Sequence, residues 1–182
     1  MDPAVRKHFD ALYVDDANVR YEAFKHIIEI THRPVTWIYE IWDELLKLLQ
    51  SKDNHVRTIA VQLLSNLAKS DSENRLLNDF DQLIVVTKDE KFVTARHSLQ
   101  CLWKIAVVKP EFREMVVGKL TERFDGAMQE KNGTLIRYDI IEVFKKSFDV
   151  TQDSSLKAIA LKLTESEPDL KYRKKYAGLW KK

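Results

Sequence analysis

One short pattern recurs five times along the chain and constrains its fold more than any other feature. An arginine preceded by an apolar residue or tyrosine returns at intervals of 37, 39, 41 and 36 residues. Positions −1, +3, +6 and +7 around each arginine share one helix face, and nineteen of the twenty residues there are apolar or aromatic, with His26 the exception. The five arginines are Arg20, Arg57, Arg96, Arg137 and Arg173. The pattern predicts five amphipathic helices at a regular period.

A second stretch of helical periodicity precedes each arginine helix, so each repeat is predicted to be a pair of helices, called A and B in chain order. The clearest A helix is VTWIYEIWDELLKLLQ, residues 35–50. The approximate repeats are 3–33, 34–70, 71–109, 110–150 and 151–182. One short pair cannot bury its own apolar stripe, whereas stacked pairs share a continuous core. We therefore predict an all-α fold, a right-handed α-α superhelix of five helix pairs that forms one domain over residues 1–182.

Helix-start signals support these pairs. Proline is favoured at the first helical position, and four prolines stand where a helix is predicted to begin: Pro3, Pro34, Pro110 and Pro168. Aspartate is a favoured N-cap residue, and three aspartates lie four residues before their arginine: Asp16, Asp53 and Asp169. Repeats three and four lack this aspartate, and repeat four has the turn-like K-N-G-T instead.

The repeat motif runs in chain order from an A helix through D-x-x-V-R and an alanine to L-L-x-x-L-A. This motif resembles the HEAT repeat, and the resemblance covers essentially the whole chain. It implies an α-solenoid in which each arginine pairs with an aspartate or a turn carbonyl of its own or the next repeat. The planar guanidinium suits such a ladder because it can meet two acceptors at once. We predict that Arg57 contacts Asp53 or a neighbouring turn. The alternative hypothesis is that the five arginines bind a ligand.

The same resemblance implies that the B helices line the concave side of the solenoid. Positions +1, +5 and +8 after each arginine should then face the groove, which becomes basic towards the end of the chain. The candidate binding residues are Lys104, Tyr138, Asp139, Lys145, Lys174 and Lys181. The last helix also carries Lys171, Lys175 and Lys182. It is either a patch for phosphate or an acidic partner, or a polar cap that keeps a solenoid soluble.

Motifs that would indicate catalysis are few. The five histidines form no H-E-x-x-H pair, the single Cys101 has no nucleophile context, and no phosphate-binding glycine loop occurs, so we predict no metal, cofactor or enzyme activity. His26 is interpreted as a hydrogen-bonded core histidine. One enzyme class with a HEAT-like solenoid is the alkylpurine DNA glycosylases, and Tyr138–Asp139 with Lys145 and Lys104 is the best match to their groove. Trp103 and Trp180 fall on the core stripe instead.

These observations favour a protein-interaction scaffold whose groove binds a protein or peptide. Nucleic-acid binding through the basic C-terminal half, including a glycosylase, is the alternative. The net charge is +2, but residues 171–182 hold six Lys or Arg and no acid, so the other 170 residues sum to −4. No run of about 18 apolar residues and no signal peptide occurs, so we expect a cytoplasmic protein without a membrane partner or a small-molecule substrate.

Overall fold

A computed structural model describes residues 1–181, and within them the regular elements are all helices. The eleven α-helices of this part are α1 (Pro3–Asp10), α2 (Ala17–Ile30), α3 (Ile38–Leu48), α4 (Asn54–Leu67), α5 (Leu76–Val86), α6 (Phe92–Gln100), α7 (Trp103–Ala106), α8 (Pro110–Gly126), α9 (Gly133–Thr151), α10 (Ser154–Glu165) and α11 (Leu170–Gly178). Short 3-10 turns follow three of them at Ala11–Tyr13, Ala68–Ser70 and Ala127–Gln129. In chain order the helices form successive A and B elements, with the third B element divided into α6 and α7.

Backbone contacts divide the chain into two units, Met1–Thr94 and Ala95–Lys182, and the division falls within α6. In the first unit α1 packs on α2, α3 packs on α4, and the B helices α2 and α4 contact each other. In the second unit α9 contacts its own A helix α8 and also the B helices α7 and α11. Each unit therefore combines packing within a helix pair with packing between successive B helices. The single domain expected from the sequence stays a prediction.

Aspartate side chains cap the N-termini of several helices. Asp16 accepts from the backbone N–H groups of Asn18 and Val19 at the start of α2, and Asp53 accepts from that of His55 at the start of α4. Asp169 does the same for Lys171 and Tyr172 in α11, and Asp2 and Asp153 cap α1 and α10. These bonds satisfy amide groups that the first helical turn leaves without a partner.

Two of the four prolines do not begin a helix. Pro3 and Pro110 are the first residues of α1 and α8, but α3 begins only at Ile38, and Pro168 lies before the N-cap of α11. The prediction for Pro34 is wrong because the segment after it is held outside the helix, where the Val35 amide donates to the Ser70 hydroxyl at 2.9 Å. The prediction for Pro168 is wrong by two residues, because Asp169 caps the helix and α11 begins at Leu170.

Repeat four replaces the aspartate cap with a backbone turn. Asn132 adopts the left-handed conformation, with φ 62° and ψ 21°, and Gly133 opens α9. A Cβ atom on Gly133 would lie 1.9 Å from the Ala127 carbonyl oxygen, closer than any atom can approach. The K-N-G-T turn thus depends on glycine because the preceding 3-10 turn packs directly on the helix start.

The core consists of the predicted stripes, with local exceptions. Fully buried large side chains include Trp42, Phe80, Phe112, Phe124 and Phe144. Trp103 and Trp180, expected in the core, are only partly buried. The prediction that His26 is a core residue is wrong, because Ala23 and Ile27 fill the buried stripe of α2. His26 is instead exposed and lies 3.8 Å, between ring centroids, from His8.

Candidate functional site

The first two ladder arginines each bind a carboxylate of the following repeat. Arg20 lies 3.3 Å from the Asp53 carboxylate and donates to the Val14 carbonyl at 3.2 Å. Arg57 donates two hydrogen bonds to the Asp89 carboxylate, from Nε at 2.6 Å and from Nη2 at 2.9 Å. Its Nη1 donates to the Ser51 carbonyl at 2.6 Å and to the Lys52 carbonyl. Each guanidinium thereby joins the turn before its own helix to the next repeat.

The next two arginines, in the second unit, also bind a carboxylate of the following repeat. Arg96 donates to both oxygens of Asp139, at 2.6 and 2.8 Å. Arg137 is only 2% exposed and pairs with the fully buried Glu167, which lies in the turn before α11. Tyr176 donates to the same carboxylate at 2.9 Å, and burial, followed by this hydrogen bond, raises the pKa of Tyr176. Such buried pairs favour one register between neighbouring repeats.

Arg173, the ladder residue of repeat five, has a different environment. Its Nε donates to the Glu167 carbonyl at 2.8 Å, which matches the contact of Arg20 and Arg57 with a carbonyl six residues earlier. Within residues 1–181 its guanidinium meets no carboxylate. The first four arginines thus each meet an acid of the next repeat, whereas Arg173 has only the turn carbonyl within the described residues.

Sequence reasoning missed the acids that complete the ladder. Three of them lie 32, 43 and 30 residues after their arginines, so no fixed interval indicates them. They are Asp89, Asp139 and Glu167. Of the predicted ladder aspartates, Asp53 contacts an arginine of the preceding repeat, and all three act as N-caps.

The prediction that Asp139 lines a groove is wrong. Its side chain is fully buried, because Arg96 covers both oxygens and Gln100 adds a third hydrogen bond at 3.1 Å. The adjacent Tyr138 is partly exposed, and burial, then the Glu142 and Asp139 carboxylates, raise the pKa of its hydroxyl. Tyr138 and Asp139 therefore do not form an aromatic–acid pair that a ligand could reach.

Three of the remaining candidates are Tyr138 on α9, Lys174 on α11 and Lys181 just after α11. Together with Tyr172 and Lys175 of α11 they define what is called here the lysine–tyrosine surface. The Lys175 ammonium lies 4.7 Å from the ring centroid of Tyr138 and 5.6 Å from that of Tyr172. Both rings pack on the ring of Tyr176, with distances between ring centroids of 6.1 Å for Tyr138 and 6.2 Å for Tyr172. Lys174 and Lys181 are exposed. The packed rings fix the position of Lys175, a cation outside the set of residues predicted to face the groove.

Two other predicted binding lysines are less available. Lys145 is bonded to Asp149 one turn later on α9 at 2.5 Å and lies 5.8 Å from the ring centroid of Trp180. Lys104 is partly buried on α7. Lys182 lies outside the described residues. Three exposed lysines of the second unit lie on α11, Lys171, Lys174 and Lys175, and others lie on α10 and in the turn before α9.

The first unit has a separate depression beside α3, and its lining includes Tyr13 and the charged side chains of Arg6, Glu44 and Lys47. Arg6 grips Glu44 with two hydrogen bonds at 2.7 and 2.9 Å and lowers the pKa of that carboxyl. Burial, then the Glu44 charge, raises the pKa of Tyr13 to about 12. The charges of this depression are thus largely matched within it.

A metal site, a membrane span or a reactive thiol would each need a distinct feature within residues 1–181. No group of three or more His, Cys, Asp or Glu side chains there could hold a metal ion. No helix in this part is long and apolar enough to cross a membrane. Cys101 is buried, and its thiol lies 3.2 Å from the Ser98 carbonyl, to which it donates.

Comparison with known proteins agrees with this architecture. Residues 41–70 match the family model of the HEAT repeat. An engineered protein solved by the Northeast Structural Genomics Consortium is similar in structure, with a TM-score of 0.59 and 19% identity over 97% of this chain and 77% of that one. A designed armadillo repeat protein in complex with the peptide (KR)4 has a TM-score of 0.56 and 14% identity, over 96% and 79% of the two chains.

A further similar structure is that of computationally designed armadillo repeat proteins for modular peptide recognition, with a TM-score of 0.53 and 13% identity over 96% of this chain and 80% of that one. No curated protein matches the chain in sequence. The predicted fold class is confirmed: the chain is an all-helical, HEAT-like α-solenoid. At these identities the structural likeness defines the fold and leaves the ligand to be argued from the side chains.

Proposed function

We propose that the chain is a non-catalytic interaction module that binds a segment of another protein on its B helices. The observation that carries the proposal is the lysine–tyrosine surface of α9 and α11. Tyrosine is enriched at protein interfaces because it offers a large, stiff apolar ring with a polar end. Tyr138 and Tyr172 are partly exposed. Both rings pack against the ring of Tyr176, which fixes their positions.

The repeat construction supports the same proposal. Two ion pairs made by arginines of the B helices link successive repeats. They are Arg57–Asp89 and Arg96–Asp139. The two designed armadillo proteins of similar fold are described as binding the peptide (KR)4 and as recognising peptides. A peptide or helix of a partner protein is therefore the ligand we propose, and the cytoplasmic location stays a prediction.

Binding to nucleic acid is a second candidate, favoured by the exposed lysines of α11. The glycosylase form of this hypothesis is weakened because Asp139 is buried against Arg96. A carboxylate that acts on an extruded base has to reach the ligand-binding pocket. Release of methylated bases by the wild-type protein would nevertheless overturn a purely non-catalytic role.

The test is an affinity pull-down from the native host, carried out with and without nuclease. We expect a protein partner that is retained after nuclease treatment and is lost with Tyr138→Ala. Val85→Ala serves as the matched control, because Val85 is 69% exposed on the A helix α5. Loss of the partner on nuclease treatment, or equal capture by Tyr138→Ala and the wild type, would contradict the proposal.

A further inference from the structure

We propose that Arg173 is an open position of the arginine ladder and receives a carboxylate from an acidic segment of a partner protein. This inference rests on the proposed function and names the chemistry of the partner. It assigns Arg173 a binding role in addition to the structural role that its sequence position predicts.

The first observation is the contrast between Arg173 and its four equivalents. Arg57 and Arg96 each form a two-bond fork with a carboxylate, and Arg137 binds a buried glutamate. Arg173 uses its Nε for the Glu167 carbonyl, and within residues 1–181 its two terminal nitrogens donate to no acceptor. The repeat architecture thus holds a guanidinium at the place where the other four receive an acid.

The second observation is the charge around Arg173. The acids of the turn before α11 are already used: the Glu167 carboxylate binds Arg137 and Tyr176, and Asp169 caps the N-terminus of α11. On the same helix Lys171, Lys174 and Lys175 are exposed or face tyrosine rings. A carboxylate-bearing segment would therefore meet several cations with little competition from the helix's own acids.

A peptide carboxylate fits better than a nucleic-acid backbone. Nucleic-acid binding relies on cations that follow successive phosphates, but the lysines of neighbouring α9 are neutralised within that helix. Lys145 pairs with Asp149 and Lys146 pairs with Glu142. The cationic surface is consequently short. The carboxylate is also the group that the other ladder arginines bind, with the geometry that the planar fork prefers.

The experiment measures fluorescence anisotropy of the labelled peptide (DE)4 with the full chain. The neutral peptide (NQ)4, the basic peptide (KR)4 and a single-stranded oligonucleotide are measured in parallel. We expect (DE)4 to bind more tightly than the other three, and binding to weaken as salt is raised. Arg173→Gln should weaken (DE)4 binding about tenfold, the size expected when one charge-assisted contact is removed.

Arg173→Lys tests whether the paired N–H donors of the guanidinium contribute to binding in addition to its positive charge. It should bind (DE)4 more weakly than the wild type, because lysine keeps the charge but loses the paired donors. Lys174→Glu, at an exposed position beside the site, should also weaken binding and disturbs no hydrogen bond that holds α11. Lys157→Gln, an exposed lysine of α10, is the matched control and should bind as the wild type does.

Thermal unfolding followed by circular dichroism confirms that each variant is folded. Equal binding of (DE)4 by the wild type, Arg173→Gln and Lys174→Glu would overturn the inference, as would tighter binding of the oligonucleotide. Self-association that Arg173→Gln abolishes would identify a second copy as the occupant and overturn it as well. Capture of a protein partner that is unaffected by Arg173→Gln would refute the inference alone and leave the proposed function standing.

Discussion

Replacement of Asp139 by asparagine separates a structural role from a binding role at the residue where the sequence and the structure disagree. The carboxylate has no solvent exposure and accepts hydrogen bonds from Arg96 at 2.6 and 2.8 Å and from Gln100 at 3.1 Å. Asparagine has nearly the same shape but no charge, and its amide group would turn a donor towards one of these donors. The guanidinium would then lie beside the core without a counter-ion.

The magnitude follows from the burial of the two partners. Removing one member of a buried ion pair costs about 3–5 kcal/mol. The Arg96 side chain is 29% exposed and retains some hydration, so we expect a loss of about 3 kcal/mol, at the lower end of that range. At roughly 2–4 °C per kcal/mol for a chain of this size, the unfolding midpoint should fall by about 6–12 °C.

The assay is a double-mutant cycle of Asp139→Asn and Arg96→Met, measured by thermal and urea unfolding. Removing both charges leaves no unpaired ion, so the double variant should lose less stability than the two single losses added together. Hydrogen exchange of the α9 amides should speed up in Asp139→Asn and reports on the same unit. Strict additivity of the two variants, or an unchanged midpoint with altered partner binding, would refute the structural assignment of Asp139.

Two further predictions concern a helix start and a carboxyl group. Gly133→Ala should destabilise the second unit by about 1–3 kcal/mol, because its Cβ would lie 1.9 Å from the Ala127 carbonyl oxygen. Gly118→Ala, which meets nothing within 4 Å in α8, should stabilise it by about 0.5–1 kcal/mol, and urea midpoints compare the two. Arg6 lowers the pKa of Glu44, so its contribution is present above the unfolded pKa of about 4.3 and is lost as pH falls through the lower folded value. Urea midpoints measured against pH should fall less steeply for Glu44→Gln in this acid range.

The helix pairs could be predicted from the sequence because their signals are local. Apolar residues at helical spacing, and aspartates that accept from amides two or three residues away, act within one element. Asp16, Asp53 and Asp169 could be assigned to helix starts for this reason. Pro34 shows the limit of such signals, because a side-chain contact with Ser70 of the same repeat holds its segment outside the helix.

The partners of the arginines could not be predicted because they depend on how one repeat packs on the next. Asp139 follows Arg137 closely in sequence, yet it binds Arg96 of the preceding repeat. Glu167 lies in a turn that no motif marks. The separation between arginine and acid varies because connecting segments differ in length, so the sequence predicts a guanidinium at each repeat and not the carboxylate that meets it.

Glu167 connects the residues of the proposed binding surface with the arginine ladder through its hydrogen bonds. One carboxylate oxygen accepts from Arg137 and Tyr176, the other accepts from the Asp169 amide, and the carbonyl accepts from Arg173. The same residue therefore holds the junction between repeats four and five and fixes the guanidinium that we propose for the partner. A ligand that binds only this folded arrangement stabilises it by mass action. Saturating (DE)4 should thus raise the unfolding midpoint of the wild type more than that of Arg173→Gln, since only an ordered α11 presents the open position and the variant binds the peptide more weakly.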